Sequence, residues 1–252
     1  CPSQLTPACM ENPLALATHS HVTSAAPTGV IGYRGGPIMA ASGDLRIRVR
    51  GEQTHGAQPW SGVDPIVASA QIINGLQTVV SRQTNIMPAP AVVSIGTIEG
   101  GARHNIIPDS VEMTGTIRTF GDEVQQQVNA DITRTAEQMA RASGAEAKVS
   151  IVDNYATTVN DTSLTGQMLP TLKQAAQGQV FPSPLVTASE DFSFYAQQVP
   201  GLFFFLGVTP AEKVGRAAPN HSPEFMVDDA ALLIEIKALS ALVTDYQAQA
   251  VE

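Results

Sequence analysis

Cysteine is nearly absent from this 252-residue chain: Cys1 and Cys9 are the only two. Two thiols cannot build the disulfide framework of a small secreted domain, and they form no CxxC pair of the zinc or redox kind. Long apolar runs are missing too. Nothing approaches the roughly 20 residues that cross a bilayer as a helix, so no membrane partner is expected. Basic charge is scarce: 14 Lys and Arg face 23 Asp and Glu, for a net charge of -9. With no Lys/Arg cluster to neutralise a row of phosphates, nucleic acid is not expected as a partner. There is also no HExxH, no GxSxG elbow, no P-loop and no GxGxxG, which removes the short signatures of zincins, serine hydrolases and nucleotide binders.

What remains is the composition of a globular protein, 43% hydrophobic, long enough for one large domain or two smaller ones. Between Asp44 and Asn154 the periodicity is clear. Leu45, Ile47 and Val49 alternate with Arg46, Arg48 and Arg50, a half-buried strand with one charged face. Asp64-Pro65 gives an N-cap with proline at the first helical position. Ile66, Ile72, Ile73, Leu76, Val79 and Val80 then form a helical stripe ending near Arg82. AVVSIGTI (91–98) and DSVEMTGTIRT (109–119) read as strands joined by the turn-rich GGARHNIIP. Asp122 and Glu123 open a second helix whose apolar face runs through Val124, Val128, Ile132, Ala136 and Met139 to Ser143-Gly144. Ala147, Val149 and Ile151 mark a last strand. The order β-α-β-β-α-β predicts a ferredoxin-like unit.

The flanks differ. Residues 162–177 and 228–246 read as helices, the second with Leu232, Ile236, Leu239, Val243 and Tyr246 on its apolar side. GLFFFLG (201–207) reads as a strand buried on both faces of an α/β sheet. The expected fold class is therefore α/β with two domains: a ferredoxin-like domain over 44–154, inserted into an α/β domain built from 1–43 and 155–252.

Five histidines are available for chemistry: His19, His21, His55, His104 and His221. A zinc-type site needs three or four close N, O or S ligands, and no local cluster supplies them. The pair in THSHV is expected on opposite faces of a strand, so that one of the two serves any given site. His221 lies in the turn-like APNHSPEF and reads locally as an exposed polar residue, and His55 in THGAQPW reads locally as a turn residue ahead of a helix. Glu190 and Asp191 in ASEDFSF offer carboxylates, or simply a helix start.

Several segments taken in order resemble the M20 metallopeptidases, in particular their amidohydrolase branch of N-acyl-amino-acid and hippurate hydrolases and carboxypeptidase-like enzymes. They are HVTSAAPTGVIGYRGGPIMAASGDLRIRVRGEQTHGAQPWSGVDPIV, VSRQTN, GGARHNIIPDSVEMTGTIRTF, ASEDFSFYAQQVPGLFFFLG and NHSPEF. The resemblance implies a catalytic α/β domain carrying two divalent ions, zinc or alternatively manganese or cobalt, interrupted by a ferredoxin-like lid through which the protein forms a homodimer. It implies that His21 and His221 are metal ligands and that His55 is a catalytic residue reaching the neighbouring subunit's site. Asn105 and Arg118 become substrate-binding positions, and Glu190 a residue near the site. The substrate implied is a small N-acyl amino acid or peptide.

The family's other metal ligands and its catalytic glutamate belong to a Cys-Gly-His-Asp stretch and a Glu-Glu pair that have no counterpart in these residues. CMENP resembles the segment that follows the Glu-Glu pair, and the opening at Cys1 reads as a processing or truncation point. Weak or absent activity is the expectation for such a chain. A non-catalytic dimerisation or ligand-binding module of the same fold, and a metal-independent esterase, stay open as alternatives. The compartment, cytoplasmic or periplasmic and secreted, stays open as well.

Overall fold

A computed structural model describes residues 16–249; Cys1, Cys9 and the CMENP segment lie outside them. Contacts divide the chain into two compact units. The first gathers residues up to Met39, Thr158–Val186 and the residues from Glu190 onward, and the second is Ala40–Thr157 with Thr187–Ser189.

Along the chain, the first unit supplies β1 (Ala17–Pro27), β2 (Ile31–Tyr33) and β3 (Gly36–Met39). The second follows with β4 (Ala41–Arg50), β5 (Thr54–His55), a 3-10 turn at Pro59–Ser61, α1 (Pro65–Thr78), β6 (Ala91–Gly100), β7 (Ile106–Ile107), β8 (Ser110–Thr119), α2 (Asp122–Ala142) and β9 (Glu146–Tyr155). The first unit then resumes with β10 (Thr158–Asn160), α3 (Thr162–Ala175), β11 (Val180–Pro182), α4 (Phe192–Ala196), β12 (Gly201–Thr209) and α5 (Ala230–Gln249).

The second unit is the predicted βαββαβ arrangement. Its four strands lie antiparallel in the order β6-β8-β4-β9. Leu45, Ile47 and Val49 are buried against both helices, while the arginines between them face outward, because successive strand residues point to opposite faces. Helix α1 starts where the sequence signals it: the Asp64 carboxylate accepts from the backbone N–H of Ile66 (2.9 Å) and Val67 (3.2 Å). It crosses α2 closely because Gly75 has no side chain; a Cβ there would lie 2.1 Å from the Met139 sulfur. Beyond Thr78 the helix widens into a π turn over Val79–Gln83. The Thr84 N–H (3.0 Å) and hydroxyl (2.9 Å) both end on the Val79 carbonyl, five residues back. In α2 the buried stripe is Val128, Ile132, Ala136 and Ala140, with Val124 and Met139 at its margin.

In the first unit the sheet order is β1-β12-β2-β11, with β1 and β12 parallel and β12 and β2 antiparallel. Every residue of β12 is buried. Leu202, Phe204, Leu206 and Val208 pack with α3 and α5, and Phe203 and Phe205 pack on the other side with Ile38 and Phe192. The expected apolar side of the last helix is corrected in part. Leu239 and Tyr246 pack against the core beside the buried Ala231, Ala238 and Leu242, whereas Leu232, Ile236 and Val243 are exposed. That helix is apolar nearly all round, so its pattern does not single out a face.

Candidate functional site

In the first unit an asparagine ties the turn that carries His221 to the strand that carries His21. His21 lies on β1 opposite Phe205 of β12, and its Nδ1 is 2.7 Å from the Val22 carbonyl oxygen. A carbonyl only accepts, so Nδ1 carries the proton, and in the neutral ring Nε2 keeps a free lone pair. That is the tautomer a metal-ligating imidazole needs. His221 sits in a turn with φ of 69°, a left-handed conformation that histidine adopts more readily than most residues. Its neighbour Asn220 fastens this turn to β1, donating from Nδ2 to the Val22 carbonyl (2.8 Å) and accepting from the Ser24 N–H (3.2 Å). The Val22 oxygen thus receives both His21 and the residue next to His221.

His19 and His21 share a face of β1, which corrects the expectation of opposite faces. They are two residues apart, and in an extended chain every second residue returns to the same side. His19 packs against Phe192 and Phe203 with ring centroids 5.7 Å away in each case, and His21 meets Phe205 at 6.5 Å. The Phe203 and Phe205 rings themselves touch at 5.1 Å. Glu190 lies just before α4, on the segment that delivers Phe192 to His19; its Oε1 accepts from the Asp191 N–H at 3.0 Å. Among the described residues, no three His, Cys, Asp or Glu side chains converge where they could hold one metal ion. A tetrahedral ion takes at least three protein ligands. Two histidines by themselves therefore do not make such a ligand set.

In the second unit the fold joins His55 to Asn105, fifty residues further on. β5 and β7 form a two-residue antiparallel ladder with His55 opposite Ile106, and the Gly56 N–H donates to the Asn105 carbonyl at 2.7 Å. β7 falls inside GGARHNIIP, which the sequence shows only as a turn-rich connection, since a two-residue strand has no readable period. The His55 ring accepts at Nδ1 from the Ala57 N–H (3.0 Å). Its proton is thus on Nε2, on an exposed ring. His55 is an Nε2–H donor where His21 is an Nε2 acceptor. Arg118, on β8, lies on the sheet face away from the helices, next to Ser42 and Val92. Its guanidinium donates to the Thr116 hydroxyl and to the Ile117 carbonyl (2.9 Å), and among the described residues no carboxylate pairs with it. Asn220 and the shared face of His19 escaped the sequence reading. The only trace of Asn220 was its place beside His221 in a Pro-rich turn.

Residues 40–144 match the peptidase dimerisation domain of the M20 family. These residues fall within the second unit. A thermostable carboxypeptidase of Saccharolobus solfataricus is 36% identical over 227 residues, which are 90% of this chain and 57% of that protein. An N-acetyl-L-cysteine deacetylase of Bacillus subtilis is 35% identical over 205 residues, 81% of this chain and 47% of the relative. Among solved structures, an aminohydrolase described as putative, from methicillin-resistant Staphylococcus aureus, superposes with a TM-score of 0.84 at 29% identity, covering 94% of this chain and 64% of that one. A Bacillus subtilis M20 peptidase described as binding two metals gives 0.73 at 30% identity, covering 91% and 56%. The chain spans roughly half the length of the curated relatives it matches.

Proposed function

We propose that this chain carries part of the machinery of a metal-dependent amidohydrolase, cleaving the amide bond of N-acyl amino acids or small peptides and acting as a homodimer. The observation that carries this reading is the pair of opposite tautomers. His21 presents an Nε2 lone pair, supported through Nδ1 by the Val22 carbonyl; His55 presents an Nε2–H, fixed by the Ala57 N–H on Nδ1. One is prepared to bind a cation and the other to donate to an anion. The names and titles of the relatives, a carboxypeptidase, a deacetylase and a dinuclear metal-binding peptidase, support the same chemistry.

In this proposal His21 and His221 are two of the ligands of a divalent ion, which when bound supplies Lewis acidity to the scissile carbonyl. His55 donates its Nε2 proton in a hydrogen bond to the carbonyl oxygen as that oxygen gains charge, in the manner of an oxyanion hole. The Asn105 amide, just ahead of the strand beside His55, helps to hold the same group. Arg118, without a carboxylate of its own, offers a planar fork to the substrate's carboxylate. His55 performs its role in the neighbouring subunit's site, and the second unit is the lid that carries it there.

The test uses the protein carrying this chain, loaded with zinc, manganese or cobalt and given hippurate or N-acetyl amino acids. The His21→Ala variant is expected to lose bound metal and turnover together. His55→Ala should keep the metal and lose about 100- to 1,000-fold in kcat, the cost of one oxyanion donor. A stable dimer with neither metal nor turnover would instead identify a non-catalytic module and refute the proposal.

A further inference from the structure

The ladder that joins His55 to Asn105 also borders a concavity of about 530 Å³ in the second unit. Gly56 and Ile106 line it from the ladder, Ile66 from the start of α1, and Ala102, Arg103 and His104 from the loop between β6 and β7. Clefts that take small ligands are commonly about 300–1,000 Å³. The loop is held in place by backbone bonds. The Ile106 N–H donates to the Arg103 carbonyl at 3.2 Å and closes the turn 103–106, and the Asn105 carbonyl accepts from the Gly56 N–H at 2.7 Å. A Cβ on Gly56 would lie 3.1 Å from that same carbonyl oxygen, so any side chain there would press the loop away.

Arg103 stands on this loop without an acid. It is exposed, and among the described residues no carboxylate pairs with it. Asp64 is the one acid lining the concavity among the described residues, and its carboxylate already accepts two N–H groups at the start of α1. The surroundings bring little other charge: from Gln53 to Ile98, Asp64 and Arg82 are the only Asp, Glu, Lys or Arg residues. His104, next to Arg103, adds a ring N–H, which a neutral imidazole carries on one nitrogen. No Phe, Tyr or Trp among the described residues lines the concavity, so it offers no ring of that kind on which an aromatic group would stack.

The geometry points to this concavity as the seat of the substrate's acyl group, and to an acyl group that ends in a carboxylate of its own. The inference rests on the hydrolase reading above and narrows its substrate. With the scissile carbonyl oxygen on the Nε2–H of His55 and the Asn105 amide, the acyl chain starts beside Arg103 and His104, two residues and one residue ahead of Asn105. The Arg103 guanidinium meets the terminal carboxylate with its planar fork, and His104 adds its N–H. Ile66, Ala102 and Ile106 cover the methylenes between. Arg118 does not reach this place in its own chain. Gly100, at the edge of the concavity, pairs with Val111 of β8; Arg118 lies seven residues further along that strand, roughly 24 Å at about 3.4 Å per residue. Arg103 therefore acts with His55 and Asn105, in the site that His55 serves.

The test uses the metal-loaded protein that carries this chain and two substrates built on one amino acid, its N-succinyl and N-butanoyl derivatives. The two acyl chains match in length, and only succinyl ends in a carboxylate. The wild type is expected to prefer the succinyl compound about 10- to 100-fold in kcat/KM, the range of one hydrogen bond to a charged group. The difference should sit in KM, because the acyl end is remote from the bond being cut and is held alike in the ground and transition states. Arg103→Gln should bring the succinyl-to-butanoyl ratio close to one, and Arg103→Lys, with the charge but not the fork, should keep part of it. Arg141→Gln, exposed on α2, should leave the ratio unchanged. Bound metal per chain and far-UV circular dichroism check that each variant is loaded and folded. A wild type without the succinyl preference, or a ratio that Arg103→Gln leaves intact, overturns the inference while the hydrolase reading stands. Turnover of neither compound, nor of hippurate or N-acetyl amino acids, overturns that reading and the inference with it.

Discussion

Asn160 is the residue whose replacement should damage the first unit most for its size. It is 1% exposed, and its amide stands in for a strand neighbour at Phe203: Nδ2 donates to the Phe203 carbonyl (2.8 Å) and Oδ1 accepts from the Phe203 N–H (2.7 Å). Nδ2 also donates to the Arg34 carbonyl at 2.8 Å. Asn160→Ala leaves one buried N–H without a partner and takes a donor from two carbonyls. At about 1–3 kcal/mol for a buried group left unsatisfied, with the carbonyls near the lower end, the loss comes to about 3–5 kcal/mol. Against a typical total of about 5–15 kcal/mol, that is a large fraction. Asn160→Asp should be as harmful near neutral pH, since a carboxylate accepts from the N–H but faces both carbonyls with negative charge. Urea unfolding followed by far-UV circular dichroism reads both units, whereas the fluorescence of Trp60 reads only the second. The loss should therefore appear in the dichroism transition. A cost below about 1 kcal/mol for Asn160→Ala would refute the idea that its amide replaces a strand partner at Phe203.

Three further outcomes follow from local geometry. Asp64→Ala removes the cap of α1 and should cost about 1 kcal/mol in the second unit, read by Trp60 fluorescence in urea. Ile47→Ala, at a fully buried position of β4, should cost about 2–5 kcal/mol in the same assay. Asp228 accepts from the Ala230 N–H and the Thr28 hydroxyl, which hold its carboxyl below the ordinary value of 3.8. Its folded-state pKa being the lower one, its stabilisation is present above the unfolded value and is lost as pH falls through the folded value. In acid titrations of unfolding free energy, the gap between the wild type and Asp228→Asn should close at the acid end and persist near neutrality. A gap that stays constant would contradict the assignment.

The second unit was legible because each of its elements buries one face. A period of two in β4 and a stripe in α2 each state which side meets the core, and Asp64-Pro65 and Ser143-Gly144 mark where helices begin and end. β12 was legible for the opposite reason, an unbroken apolar run between glycines that only a doubly covered strand needs. The last helix, α5, was not, because its apolar residues run nearly all round and several of them remain exposed. The π turn after α1 was missed as well, since it depends on Thr84 reaching back to Val79 and not on any repeat.

For the candidate site, the sequence by itself supplied the histidines, the asparagine and the arginine in their motifs, and through them the resemblance to a family. It determined which side chains are available and how far apart they lie along the chain. It did not determine their partners or their protons. The nearness of His55 and Asn105 comes from a ladder of two residues per strand, too short to leave a pattern. The tie between the His221 turn and β1 comes from one Asn220 amide reaching the Val22 carbonyl. The tautomers of His21 and His55 were decided only by which backbone group each Nδ1 meets, a carbonyl in one case and an N–H in the other. A hydrogen bond depends on positions within a few tenths of an ångström, and only the folded chain sets those.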